Sequence, residues 1–450
     1  MTHPEAGTAS VGGVSNPRRA LAVVIGVVFI DLVGFGIVIP ILPFYVRSFG
    51  VSDAFIGLVA ASYSLAQFLA APTLGRLSDR VGRRPVLLAS LAAAGVAWVA
   101  FGYAGAAEAR FGTVAAIATL FGSRTLAGAM GGNIAAAQAY VADITPRDRR
   151  AGALGLVGAA FALGFVFGPA IGGLLAADAV VTRADALLPA FVPATPYSLP
   201  SFAAAAMSFL AVGVGLVLLE EPDRARGTAG RRTTVVGQFR EALASVALRP
   251  LTIAYFVVAV AFAGVQVMFV PYVADAFGYD ATAAALLLTY VGVLGAVNQG
   301  VLVGRLSRVV PSRTLVAVGA VLLAAALVAL PATGAVDRFL GDVALGGPAW
   351  LTLPLVALLV ALAALSLGNA LVNVSLATLV SASADDAEQG AAFGVTQGAS
   401  SLGRTVGPPV MAVLYTVAVA SPFLVGAVLL LPVAVAFGRR SDDADADRPG

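Results

Sequence analysis

The sequence predicts an all-α integral membrane protein, with twelve transmembrane helices in two pseudo-symmetric six-helix bundles. Three observations carry that expectation. The 450 residues are 59% hydrophobic and 11% charged, with a mean hydropathy of +0.94, which excludes an ordinary soluble domain. Apolar runs of about twenty residues, each long enough to cross a bilayer, recur along the whole chain. The second half then repeats landmarks of the first.

The spans are expected near 20–46, 55–74, 85–105, 113–141, 151–176, 200–219, 251–273, 281–303, 314–331, 351–380, 388–415 and 419–437. The alternating pattern of a membrane β-barrel is absent, so these are read as helices. The first run is too long for a signal-peptide core and has no small-residue cleavage site behind it, so it is read as a retained helix. Residues 1–19 read as a cytoplasmic tail, 20–219 and 251–437 as the two bundles, and 438–450 as an acidic tail. In the linker 220–250, Val236, Phe239, Leu243 and Val246 recur at helical spacing opposite Arg240 and Glu241. A helix lying on the membrane surface fits this pattern, and a solvated linker fits it equally.

The repeat is visible residue by residue. Pro43-Phe-Tyr with Phe49-Gly50 returns as Pro271-Tyr with Phe277-Gly278, a shift of 228. Gly75-Arg-Leu-Ser78 returns as Gly304-Arg-Leu-Ser307, and Gly164-x-x-x-Gly168-Pro169 as Gly403-x-x-x-Gly407-Pro408. A shift of six helices implies parallel repeats about an axis along the membrane normal, with a substrate site between them.

Composition removes several chemistries. Cysteine is absent, the one histidine is His3 in the tail, and all 27 basic residues are arginine. Disulfides, a phosphate-loop lysine and a pyridoxal Schiff base are therefore excluded, and no metal or other cofactor is expected. An intramembrane enzyme would need a nucleophile–base pair or metal ligands in the spans, and none is found. With both termini placed in the cytoplasm, 21 of the 27 arginines fall on the inner side. The positive-inside rule favours that orientation, in a cell membrane. The basic pI near 9.4 then reflects cytoplasmic loops and points to no nucleic-acid partner. The expected partners are the lipid bilayer, protons and a small-molecule substrate, handled by a monomer.

Asp31 is the only acid inside the spans, about eleven residues into the first. At ~1.5 Å per residue it sits near mid-bilayer, where a carboxylate marks a functional site by default. Arg124 lies at similar depth in span 4 and needs a partner, for which Asp31 is the only intramembrane acid. A proton-coupling pair is the sharper reading and a structural ion pair the plainer one. A carboxyl binds its proton more tightly when buried and less tightly beside a guanidinium, so alternating access would switch Asp31 between two states. Position 259, its counterpart in the second repeat, is Ala259. Arg404 in span 11 is a third intramembrane charge, with no acid in spans 11 or 12 to meet it.

Spans 2 and 3 are joined by Gly75-Arg-Leu-Ser-Asp79-Arg80-Val-Gly82-Arg83-Arg84. Its glycines permit a tight turn, and Asp79 is suited to face a helix N-terminus. In span 5, Gly164, Gly168 and Gly172 fall on one face that lets another helix approach closely, followed by Gly173; Pro169 removes a backbone hydrogen bond.

At these residues the chain resembles the major facilitator superfamily. The loop from Gly75 through Gly82 to Arg84 is similar to its loop 2–3 signature, and by that resemblance Asp79, Arg80, Arg83 and Arg84 act as a conformational latch between the two halves. The second copy carries Arg308 in place of Asp79, so the latch is expected on one side only. Arg124-Thr-Leu-Ala-Gly128 resembles the span 4 arginine motif of proton-linked members. Gly-x-x-x-Gly-Pro-x-x-Gly-Gly in span 5 resembles the motif of the antiporters. Asp31-x-x-Gly-x-Gly-Ile-x-x-Pro-x-x-Pro is similar to tetracycline-resistance-type and multidrug proton antiporters. The resemblance implies proton-driven export of drug-like molecules by rocking of two bundles. Its rivals are a metabolite symporter and a non-transporting sensor. It places the binding cavity among spans 1, 4, 7 and 10. The polar and aromatic candidates there are Phe35, Asn133, Gln138, Phe262, Gln266, Phe269, Asn369 and Asn373. The plainer reading of the amides is helix–helix glue.

Overall fold

The computed structural model describes residues 14–131, 133–146, 149–222, 235–340, 352–383 and 389–446. His3, the acidic loop residues Asp385, Asp386 and Glu388, and the side chains of Asn133, Val236, Phe239 and Glu241 lie outside that set.

The first half runs α1 (Pro17–Val38), α2 (Leu42–Ser48), α3 (Ala54–Val81), α4 (Arg83–Gly102), α5 (Ala104–Phe111), α6 (Thr113–Met130), α7 (Asn133–Ile144), α8 (Arg150–Ala176), α9 (Asp178–Leu187) and α10 (Ser198–Leu218). A short helix, α11 (Val235–Ala244), falls in the linker. The second half runs α12 (Leu248–Phe277), α13 (Ala281–Val297), α14 (Val303–Leu306), α15 (Ser312–Leu340), α16 (Leu353–Ala382), α17 (Gln389–Val417) and α18 (Ser421–Ala446). A π-helical segment, Asn298–Leu302, joins α13 to α14, and its buried Asn298 donates to Ser366 Oγ at 3.2 Å.

Eleven helices among the described residues are long and apolar enough to cross a membrane. The twelfth, α17, has the length with 29 residues, but Gln397, Ser400, Ser401 and Arg404 lower its hydropathy.

Four details differ from the sequence reading. Span 1 is two helices, because Pro40 and Pro43 remove two neighbouring amide donors. Span 4 is divided into α6 and α7 at Gly131, where an added Cβ would lie 2.8 Å from Gln67 Nε2. Gly75 makes no turn: α3 continues through it to Val81, and the chain reverses at Gly82 alone, with φ 126° and ψ 153°. That backbone region is open essentially to glycine only. The last helix continues into the expected tail as far as Ala446, since a helix need not stop where its apolar run does.

Ser15 binds Glu220 through its amide and hydroxyl, so the start of α1 and the exit of α10 share one face of the molecule, here the terminal face. Ser15 holds the Glu220 carboxyl below its ordinary range. The opposite, distal face carries the α2–α3 and α12–α13 turns.

Small residues set the packing inside each half. A Cβ on Gly168 would lie 2.5 Å from Gly36 Cα, and one on Gly172 would collide with the Ile37 carbonyl, so α8 and α1 touch backbone to backbone. The second half repeats the arrangement: Cβ atoms on Gly403 and Gly407 of α17 would lie 2.7 and 2.6 Å from Ala259 and Ala263 Cβ of α12. Without a hydrophobic drive between helices in lipid, such contact is what holds them together. Between the halves, Gly57 of α3 meets the Pro408 carbonyl of α17, and Gly173 of α8 meets Ala285 of α13.

Candidate functional site

Rings from α1, α3 and α4 enclose a cation of α6, and α3 in turn packs on α17. Arg124 of α6 is 7% exposed, and its guanidinium carbon lies 4.6 Å from the Tyr63 ring centroid, 5.4 Å from Trp98 and 5.6 Å from Phe35. Its Nε finds no hydrogen-bond acceptor among the described residues. A desolvated cation over aromatic faces gains about 2 kcal/mol, which offsets part of its burial cost. Phe35 itself packs 5.3 Å from Tyr63 and 6.1 Å from Phe165.

Tyr63 is the residue that sequence reasoning missed. Its ring holds the Arg124 guanidinium carbon at 4.6 Å, and its hydroxyl lies within electrostatic reach of Asp31, Arg124 and Arg404. A signal existed: Tyr63 and Gln67 are four apart in a mostly apolar span and share a face. Gln67 donates to the Gly131 carbonyl at 3.3 Å, which ties α3 to the break in span 4. Asp31 is partly buried on α1.

In the second half, Phe262 and Gln266 of α12 and Asn369 and Asn373 of α16 line a cavity of about 130 Å³ together with Ala259 and Arg404. Asn373 Nδ2 donates to Asn369 Oδ1 at 2.8 Å. Phe269 does not join them. It is 1% exposed in the hydrophobic core: it shares the helical face of Phe262 but lies two turns, roughly 10 Å, further along α12, beyond the cavity. Gln138 is exposed on α7, and only the backbone of Asn133 is described. Arg404 donates to Ser400 Oγ at 3.3 Å and Ser401 Oγ at 3.2 Å, both on its own helix.

The loop after α3 forms a charged knot on the terminal face. Arg83 reaches Asp79 at 2.6 Å, Ser78 Oγ at 2.7 Å and Asp143 of α7 at 3.0 Å. The anion at the N-terminus of α4 is Glu221, not Asp79: its carboxylate accepts from the Arg83 and Arg84 amides at 2.7 and 2.9 Å. Free amides and the helix dipole favour a carboxylate there. Arg84 also donates to the Leu216 carbonyl at 2.7 Å. These contacts of Arg83 and Arg84 join the first half to the start of the linker, and none of them reaches the second half. Asp143, at the foot of α7, was legible only as an acid preceding an arginine-rich loop.

Comparison with known proteins places this architecture. A family model described as Major Facilitator Superfamily matches residues 24–344. The class C tetracycline resistance protein of Escherichia coli is 30% identical over 423 residues, covering 92% of this chain and 95% of that protein. Multidrug resistance protein 1 of Bacillus subtilis (strain 168) is 28% identical over 414 residues, covering 91% and 93%. Among solved structures, a bacterial homolog of the human lysosomal transporter Spinster, inward-facing and unoccupied, has a TM-score of 0.72 at 15% identity over 94% of this chain and 97% of that one. With its two packed halves and the matched length of its relatives, this chain belongs to the Major Facilitator Superfamily.

Proposed function

We infer that the protein is a secondary active transporter that exports drug-like, amphipathic molecules in exchange for protons by alternating access. The observation that carries this is the buried Arg124 guanidinium enclosed by Phe35, Tyr63 and Trp98, with Arg404 lining a cavity between helices, in a chain related over nine-tenths of its length to tetracycline and multidrug resistance proteins. The aromatic and amide lining suits an organic solute whose body is apolar.

In this reading Asp31 carries the proton and Arg124 supplies the charge that helps it leave. Two hydrogen-bonded contacts join the halves at the distal face: Arg47 with Asp275, and the Thr282 hydroxyl with the Gly173 carbonyl at 3.1 Å. They support a state closed on that face, with solute entering from the terminal face, which we take as cytoplasmic in a cell membrane. The knot of Asp79, Arg80, Gly82, Arg83 and Arg84 serves as the latch that steadies the first half during rocking. The glycine face of α8, with Pro169, keeps α1 and its Asp31 tightly seated. The proton gradient is the energy source, and the unit is a monomer.

The test is proton release from proteoliposomes under an imposed pH gradient, on adding tetracyclines and lipophilic cations, for wild type and Asp31→Asn. Solute-triggered proton flux in the wild type, lost in a variant with the same elution profile, is expected. Equal flux in both proteins would remove Asp31 from the coupling role. No flux with any compound would overturn the exporter reading.

A further inference from the structure

Arg404 is the intramembrane cation that proton coupling leaves unused. We propose that Arg404, with Asn369 and Gln266, forms a subsite for an anionic oxygen group of the transported molecule, a carboxylate or an ionised enol. The proposal rests on the reading of this cleft as the solute path, and it names the chemistry of one end of the solute.

Arg404's described hydrogen-bond partners are two serine hydroxyls of its own helix, at 3.3 and 3.2 Å. A guanidinium carries five N–H donors, so these two long bonds orient the fork and leave donors over. Among the described residues no carboxylate lines the cavity of about 130 Å³ into which Arg404 faces. Such a space has room for an acidic head group. Gln266 is exposed although it lies within α12, which keeps its amide accessible from the cavity.

The repeat makes the asymmetry plain. Asp31 corresponds to Ala259 in the second half, and Ala259 lines this cavity. Arg404 corresponds in turn to Phe165 in the first half, at the shift that relates Gly164 to Gly403. The acid therefore belongs to one repeat and this arginine to the other. Arg124 is enclosed by rings whereas Arg404 lines the cavity, so the accessible intramembrane cation is Arg404. A charge kept in the membrane without an opposite charge is costly, and a solute anion is the group that would offset it.

The test uses rhodamine B, which bears a free carboxylate, and its ethyl ester, which lacks that anion, binding to the purified full chain in nanodiscs by fluorescence anisotropy. Empty nanodiscs supply the background. The wild type is expected to bind the acid about tenfold more tightly than the ester, as charge-assisted bonds imply. Arg404→Gln should bring the ratio to within about twofold, and Arg404→Lys should keep a several-fold preference. A wild type that prefers the ester, or a ratio unchanged in a folded Arg404→Gln, overturns the subsite. Should that variant fail to fold, Asn369→Ala decides: a several-fold fall in the ratio supports the proposal and an unchanged ratio overturns it. Proton release triggered by the ester is measured in parallel. Its persistence alongside an Arg404-independent ratio leaves the exporter standing without this subsite. Arg404-dependent binding of the acid, with no transport of either dye, leaves the subsite standing without the exporter.

Discussion

Arg47 and Asp275 occupy the same place in the two repeats, 228 positions apart, and bind each other across the distal face through two hydrogen bonds of 2.8 Å. Positions related by the repeat approach one another near its axis, where identical charges would repel. Divergence to arginine and aspartate converts that point into a clasp. Arg47 also grips Asp53 at 2.8 Å, and Tyr415 donates to Asp275 at 2.7 Å, so α2, α3, α12 and α17 are tied at one spot. The Asp275 side chain is 39% exposed, so water screens the pair and its worth is of order 1 kcal/mol. A contact of that size holds a gate shut without locking it.

Arg47→Ala is expected to let the distal face open. The chain has no cysteine, so spin labels at Ser52→Cys and Val419→Cys report on the two halves without further change. Their distance distribution should gain a longer component in Arg47→Ala. The charge reversal Arg47→Asp with Asp275→Arg should reduce it again. An unchanged distribution would mean the clasp does not set the gate.

Gly172→Ala is expected to lower thermal stability by roughly 1–3 kcal/mol, because its new methyl group would collide with the Ile37 carbonyl. Gly158, on the same helix, has nothing within 4 Å of an added Cβ. Gly158→Ala should therefore stabilise by about 0.5 kcal/mol through backbone entropy. Unfolding in nanodiscs ranks the two, and equal effects would contradict the packing described.

Gly82→Ala should cost about 1–3 kcal/mol, since φ 126° with ψ 153° strains any residue bearing a Cβ. Glu221→Gln should weaken the start of α4 by roughly 0.3–2 kcal/mol, by removing the charge from the Arg83 and Arg84 amides. Hydrogen exchange should rise over the first turn of α4 in both variants. Unchanged protection would show that the knot is not what orders this turn.

Tyr63→Phe keeps a ring 4.6 Å from Arg124 and is expected to leave the melting temperature within about 1 °C of wild type, whereas Tyr63→Ala should lose about 2 kcal/mol or more. If the two variants melt alike, the ring is not what holds the arginine.

Hydropathy and the repeat made the membrane class, the order of spans and the two halves legible, because a bilayer demands long apolar helices whatever their neighbours. The breaks were less legible: Pro40 with Pro43 announces one, but Gly131 breaks span 4 in a setting that includes Gln67 from another helix. The shared face of Phe262 and Gln266 followed from their spacing, whereas the depth at which the cavity ends, which leaves Phe269 in the core, did not.

The sequence by itself determined which charges enter the membrane: Asp31, Arg124 and Arg404, and no lysine, histidine or thiol among them. It also determined that the repeats differ, with Ala259 opposite Asp31. Only the tertiary structure decided what surrounds those charges. Arg124 came to rest among Phe35, Tyr63 and Trp98, Arg404 came to line a cavity with Asn369 and Asn373, and Arg47 met Asp275. Burial in lipid is read along one helix, whereas a partner is chosen by lateral packing of small residues between helices far apart in the chain, which hydropathy does not record.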